Sequence, residues 1–140
     1  MSQENVERAR EAYRELNATG TLGVVVEFLA PEVEFHLSGA FPDLDAVYRG
    51  HDGVRKLGEQ LTEPWEQFRM EPDRFIDLGE QVLVLCHFHG KGRDGIAARL
   101  PFAHLWTLRE GVVVRMDAFS GHAEALEAVG LAEQDAHADS

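Results

Sequence analysis

The sequence predicts an α+β domain in which a curved antiparallel sheet wraps around helices. Two observations carry this. Helical patterns come first and strand patterns come last, an order that separates the two classes instead of alternating them. The segment Val82–Phe119 reads as three long strands, Val82–Gly92, Ile96–Arg109 and Val112–Phe119, joined by tight turns.

The helices precede this segment. Val6, Ala9, Tyr13 and Leu16 recur at helical spacing, with Ser2 as N-cap and Gly20 just past the end, so residues 3–18 form an amphipathic helix. Thr21 caps a second, short helix through Leu22, Val25, Val26 and Leu29, which Ala30-Pro31 ends. Val33, Phe35 and Leu37 alternate with Glu34, His36 and Ser38 as a half-buried strand. Ser38–Arg49 is a loop rich in turn formers that carries Phe41, Leu44, Val47 and Tyr48. It is either a lid over a pocket mouth or a contact with a partner subunit, and the sequence does not choose. A third helix starts at His51 and runs through Val54, Leu57 and Leu61 toward Trp65, with Pro64 able to shorten it and Asp52 favourable in its first turn.

Phe68, Met70, Pro72, Phe75 and Leu78 form an irregular strand bent at Pro72, and Gly79-Glu80 turns the chain. Arg93-Asp94-Gly95 and Arg109-Glu110-Gly111 supply the turns between the long strands. Ala123–Val129 is a short helix ending at Gly130. Residues 1–131 thus read as one domain, and residues 132–140 as a flexible acidic tail.

Bulk properties exclude several classes. The chain has 140 residues, is 44% hydrophobic and carries a net charge of −12, enough apolar content for a core and the wrong sign for a phosphate backbone. No apolar run reaches membrane-spanning length, and the polar, acidic start Met1-Ser2-Gln3-Glu4 is not a signal peptide. The single Cys86 lies in an apolar strand and reads as a buried thiol in a reducing cytoplasm. We therefore expect a cytoplasmic protein with no nucleic-acid or membrane partner.

The run Tyr48-Arg49-Gly50-His51-Asp52-Gly53-Val54 at the third helix, then Pro101–Gly111, Val112–Asp117 and Ala123–Leu131, resembles in order and spacing the SnoaL-like branch of the NTF2-like superfamily. The likeness covers roughly residues 3–131. It implies a cone-shaped barrel: a strongly bent, mostly antiparallel sheet with helices closing an apolar pocket. It also implies homodimers through the outer sheet face. Family activities include polyketide cyclases, ketosteroid isomerases, limonene-type epoxide hydrolases and non-catalytic binders, so fold alone does not give function.

Alternation assigns pocket walls. Leu100, Phe102, His104 and Trp106 share one side of their strand, as do Val112, Val114, Met116 and Ala118 of theirs. The apolar sets face in if Leu108 pairs with Val112 across a three-residue turn with a bulge at Gly111, the arrangement we favour. A two-residue Glu110-Gly111 turn instead brings Arg115 and Asp117 inward. On the Val82–Gly92 strand hydrophobicity does not choose a face, and the resemblance places His87 and His89 inward, where epoxide hydrolases carry an Arg and an Asp. Their second Asp matches Ala118, and the ketosteroid isomerase base matches Leu37, with His36 beside it. Cyclases of this fold use a His/Asp pair, which His104 and Asp117 match if the last strand turns the other way.

His87, His89 and His104 are thus the candidate general acid/base cluster, with Phe35, Leu37, Trp65, Leu100, Phe102, Trp106, Met116 and Ala118 as the ligand wall. The carboxylates missing at the matching positions favour binding of an apolar, oxygenated ligand over catalysis, with a cofactor-independent isomerase, cyclase or hydrolase as the alternative. No cofactor motif is present. A metal is not expected. If Gly92 pairs with Gly95, His104 lies opposite Leu83, four residues or about 13 Å from His87 at roughly 3.3 Å per residue, and His51 and His122 lie at element ends.

Overall fold

Six strands form one bent sheet in the order β2-β1-β6-β5-β4-β3. The computed structural model describes residues 2–37 and 44–131. The elements are α1 (Ser2–Thr19), a 3-10 helix (Leu22–Phe28), β1 (Leu29–His36), β2 (Val47–Arg49), α2 (Gly50–Thr62), β3 (Trp65–Asp77), β4 (Gln81–Gly92), β5 (Ala97–Arg109), β6 (Val112–Phe119) and α3 (His122–Ala128). β1 runs parallel to β6, and every other neighbouring pair is antiparallel. This is the α+β arrangement expected from the element order, and the bent, mostly antiparallel sheet is that of the cone the resemblance implies.

Local chemistry accounts for the boundaries. Gly20 at φ 71° closes α1 by donating its N–H to Leu16 O at 2.7 Å. Thr21 Oγ1 accepts from Gly23 N–H and starts the 3-10 helix. β1 begins at Leu29, earlier than the sequence suggested, because Pro31 is absorbed where the β1–β6 register shifts between Leu29 and Glu34. α2 ends at Thr62 and Trp65 opens β3, so Trp65 is a strand residue and not the end of the helix. Of the loop expected over Ser38–Arg49, Phe41 lies outside the described residues, as does the 132–140 tail. Val47–Arg49 is not loop but a short strand on β1, with Tyr48 buried against Gln60.

Helices pack on both faces of the sheet. α1, the 3-10 helix and α2 fill the concave side, around Val33, Phe35, Val54, Leu57, Val82 and Val84. The Asn17 side-chain amide clamps edge strand β3, donating to Met70 O at 2.8 Å and accepting from Met70 N–H at 2.9 Å. On the convex side α3 lays Ala125 and Leu126 over Leu83, Leu85, Ala103 and Leu105. Among the described residues no helix is long and apolar enough to cross a membrane.

The turn residues Arg93-Asp94-Gly95 are as read from the sequence, but the pairing across each hairpin differs from the one expected. Between β4 and β5 the loop has three residues. Gly92 N–H donates to Ile96 O at 2.8 Å, Gly95 sits at φ 87°, and Asp94 Oδ1 accepts from Ile96 N–H at 3.0 Å. His104 therefore pairs with Val84, not with Leu83. Between β5 and β6 the turn has two residues, Glu110 and Gly111, both at positive φ, and Arg109 pairs with Val112. A bulge between Thr107 and Leu108 then restores the pairing of His104 with Ala118 and Trp106 with Met116. Met116 and Ala118 face inward as expected, through a bulge in the ladder and not in the turn. Val113 takes the buried place expected of Val112, which is exposed.

The cover of α3 over the convex face predicts a clear contrast. Leu126, 1% exposed, changed to Ala costs about 2–5 kcal/mol of unfolding free energy by urea titration. The exposed Glu127→Ala on the same helix changes it by less than about 0.5 kcal/mol.

Candidate functional site

The concave face of the sheet and the helices above it enclose a cavity of about 190 Å³. β5 and β6 supply Leu100, Phe102, His104, Trp106, Met116 and Ala118, and β1 with its following residue supplies Phe35 and Leu37. Trp65 joins them from the start of β3. All eight residues expected on the ligand wall line this cavity, and His104 lines it beside them. Leu100 is 46% exposed and stands at the rim. Phe88, inward on β4, packs against Trp65 with ring centroids 5.0 Å apart. Gly90 leaves room for this pair, since a Cβ there would come within 2.7 Å of both rings.

His87 and His89 are not in the cavity. Both side chains stand on the convex face, and this corrects the expectation of a three-histidine cluster. The physical cause is the three-residue β4–β5 loop. It shifts the register by one residue, and a one-residue shift exchanges the faces of a strand. Val82, Val84, Cys86 and Phe88 therefore look inward, while Leu83, Leu85, His87 and His89 look outward. His89 Nε2 bonds Glu71 Oε1 at 3.1 Å, and this hydrogen bond holds the Glu71 carboxyl below its usual range. His87 Nδ1 bonds Asp73 Oδ2. His36 also faces away, paired with Glu34 at 2.9 Å, and Arg115 and Asp117 form the expected outward pair at 2.9 Å.

His104 is thus the one histidine of the cavity wall among the described residues, and its partners fix its protonation. Trp106 Nε1–H donates to Tyr13 Oη at 3.0 Å, and Tyr13 Oη lies 2.6 Å from His104 Nδ1. Indole nitrogen only donates, so the phenolic proton is left for Nδ1, the one acceptor offered to it. Nδ1 is then the acceptor and Nε2 carries the ring proton. Among the described residues Nε2 has no partner and is not a buried orphan, so Nε2–H is the donor that His104 presents to the cavity it lines. Burial pushes His104 down to about 4, so the ring is neutral near pH 7. Tyr13 is raised well above its ordinary value, first by burial and then by Cys86 nearby.

The chemistry of this wall follows. It presents one neutral N–H donor in an apolar cavity, and no Asp or Glu lines it among the described residues. Cys86 stays a buried thiol, pushed up chiefly by desolvation, with Sγ 3.4 Å from Phe102 O. Sequence reading missed Tyr13, which its spacing marked only as helix core. It also missed Leu57, Leu61 and Met70, because an apolar stripe looks the same whether it meets a core or a cavity.

A family model described as a SnoaL-like domain matches residues 9–116. An NTF2-like protein of unknown function from Burkholderia pseudomallei K96243 superposes with a TM-score of 0.74 at 29% identity, over 91% of this chain and 98% of that one. TerC, co-crystallised with polyporic acid, gives 0.75 at 23% identity, over 89% of this chain and 96% of its own. SalBIII, described as an epoxide hydrolase/cyclase-like enzyme in pyran ring formation in the polyether salinomycin, gives 0.70 at 19% identity, over 85% and 92%. At these identities the likeness shows a shared fold. Comparison with the curated proteins finds no match.

Two measurements check the His104 arrangement. Its folded value of about 4 lies below the unfolded value near 6.5, so the unfolded chain binds the proton first as pH falls. Stability is full above about pH 6.5 and is lost down to about pH 4, by roughly 3 kcal/mol in urea titrations, and His104→Gln flattens that slope. Tyr13→Phe leaves the Trp106 N–H unpaired and His104 Nδ1 with only the Cys86 thiol at 3.7 Å, and costs about 1–3 kcal/mol by the same titration.

Proposed function

Because the chain belongs to the SnoaL-like family of the NTF2-like superfamily, we propose that it binds an apolar, oxygenated small molecule without transforming it. The ligand class is polyketide-, terpenoid- or steroid-like. The observation that carries this reading is the neutral His104, with Nδ1 occupied by Tyr13 and Nε2–H free to meet a ligand oxygen. A general base needs an available lone pair, and here the only one is taken. An engineered cavity of about 150 Å³ holds benzene, so about 190 Å³ takes roughly one ring or a small fused pair, with the remainder extending past Leu100.

The second reading is a cofactor-independent isomerase, cyclase or hydrolase, supported by the same Nε2–H read as an electrophile. Nε2–H would polarise a carbonyl or epoxide oxygen while the Tyr13 hydroxyl holds Nδ1. His87 and His89 have no part in either reading.

Two settings go with this proposal. A homodimer through the outer sheet face is supported by the strip α3 leaves open, where Arg69, Glu71, His89 and Arg99 set both charge signs side by side for a two-fold contact. Sedimentation equilibrium checks it, and a monomer at every concentration sinks it. A cytoplasmic setting is supported by the buried, unpaired Cys86.

Thermal shifts with a panel of apolar ketones, phenols, lactones and epoxides test the function. Some members raise the melting temperature. Ala118→Leu, which fills the wall opposite His104, abolishes the shift, and His104→Phe weakens binding about tenfold. No shift with any member rejects the binding reading, and turnover lost in His104→Phe replaces it with the enzymatic one.

A further inference from the structure

We propose that Asp73, His87 and His122 form a binding site for a divalent transition-metal ion of the zinc class on the convex face, separate from the cavity. One ligand atom from each of the three side chains lies within 4.8 Å of the other two. Two imidazoles and one carboxylate suit zinc and its neighbours, and three protein ligands leave a fourth position open to solvent.

Three independent features of the fold build the cluster. Pro72 sits opposite Cys86 in the β3–β4 ladder, and the register shifts between Pro72 and Arg74. That bulge inserts Asp73 as an extra residue and turns its carboxylate to His87. The β4–β5 register turns His87 outward. α3 then folds over the convex face and brings its first residue, His122, to the same spot, with ring centroids of His87 and His122 5.2 Å apart.

His122 is also oriented as metal-binding histidines are. Its Nε2 donates to Cys86 O at 2.9 Å, which fixes the proton on that nitrogen and leaves Nδ1 as the lone-pair atom. Pro72 has no N–H to offer the ladder opposite Cys86, and the Cys86 carbonyl takes the His122 proton. His87 and His122 are half-buried and Asp73 is exposed, so the position is accessible to an ion from solvent. An ion there joins β3, β4 and the start of α3, and so pins α3 to the sheet.

Titration of the full chain with Zn²⁺ by calorimetry tests this, with circular dichroism confirming that each variant is folded. The expected result is saturable one-to-one binding that raises the melting temperature and is reversed by a chelator. His87→Gln and His122→Gln each weaken it by about tenfold or more, and Asp73→Asn does so without a change of shape. His89→Gln, on the same face two residues along, leaves it unchanged. With Co²⁺ the wild type shows the absorption of a low-coordinate nitrogen/oxygen site, which reads the ligand set even where a histidine variant fails to fold. Absence of saturable binding overturns the proposal. So does weak uptake shared by every variant, the behaviour of scattered surface carboxylates.

Discussion

The pairing of His104 with Val84 decides what each face of this protein can do. β4 lies between β3 and β5, and both its faces are covered by apolar elements at one end. Hydrophobic burial therefore does not select its orientation. The three-residue loop does, because Gly95 accepts the left-handed conformation and the Asp94 carboxylate holds Ile96 N–H. Shifting that loop by one residue would turn His87 and His89 to the face that carries His104 and turn Phe88 to the convex face. A local hydrogen bond in an exposed turn thus fixes the character of a cavity wall several residues away.

Within the cavity the polar groups are few and each is committed. Tyr13 reaches from α1 across to β5 and satisfies two ring nitrogens with one hydroxyl. An unpaired Trp106 N–H or His104 Nδ1 in this apolar space would cost on the order of 1–3 kcal/mol, so the hydroxyl also helps to dock α1 on the sheet. The same bond leaves His104 one function toward the cavity, donation from Nε2. In an apolar setting a single donor orients a ligand oxygen strongly, while the rings of Phe35, Phe88 and Trp106 supply contact without direction.

The order of elements and most of their boundaries were legible in the sequence because caps and breakers act locally. Gly20, Thr21, Pro64 and Gly130 each leave a mark that neighbouring residues do not override. The cavity wall on β5 and β6 was legible because period-two alternation over Leu100–Trp106 sets the large rings of Phe102 and Trp106 on one face with His104 and leaves Pro101, Ala103 and Leu105 on the other. The facing of His87 and His89 was not, since it depends on loop length at Arg93-Asp94-Gly95, where two- and three-residue forms share the same residue types. Met116 and Ala118 came out inward although the Glu110-Gly111 turn was read with the wrong length. The bulge beyond the turn restored the parity, so a correct facing there rested on two offsetting departures. The meeting of His122 with His87 was out of reach of any periodicity, because it needs the placement of α3 on the convex face.

Cys86 shows how closely the two faces are joined. Its side chain points inward, with Sγ 3.7 Å from His104 Nδ1, while its carbonyl accepts from His122 on the convex side. The following residue, His87, points outward to Asp73. The cavity donor and the convex cluster are therefore separated by one residue of a central strand. Backbone in such a strand is held on both edges and moves little, so the two sites share a rigid element and not a hinge. Occupation of the convex cluster would stiffen the α3 end of β4 without reshaping the cavity. Ligand specificity would then stay with His104, Tyr13 and the aromatic wall, and the convex site would act on stability.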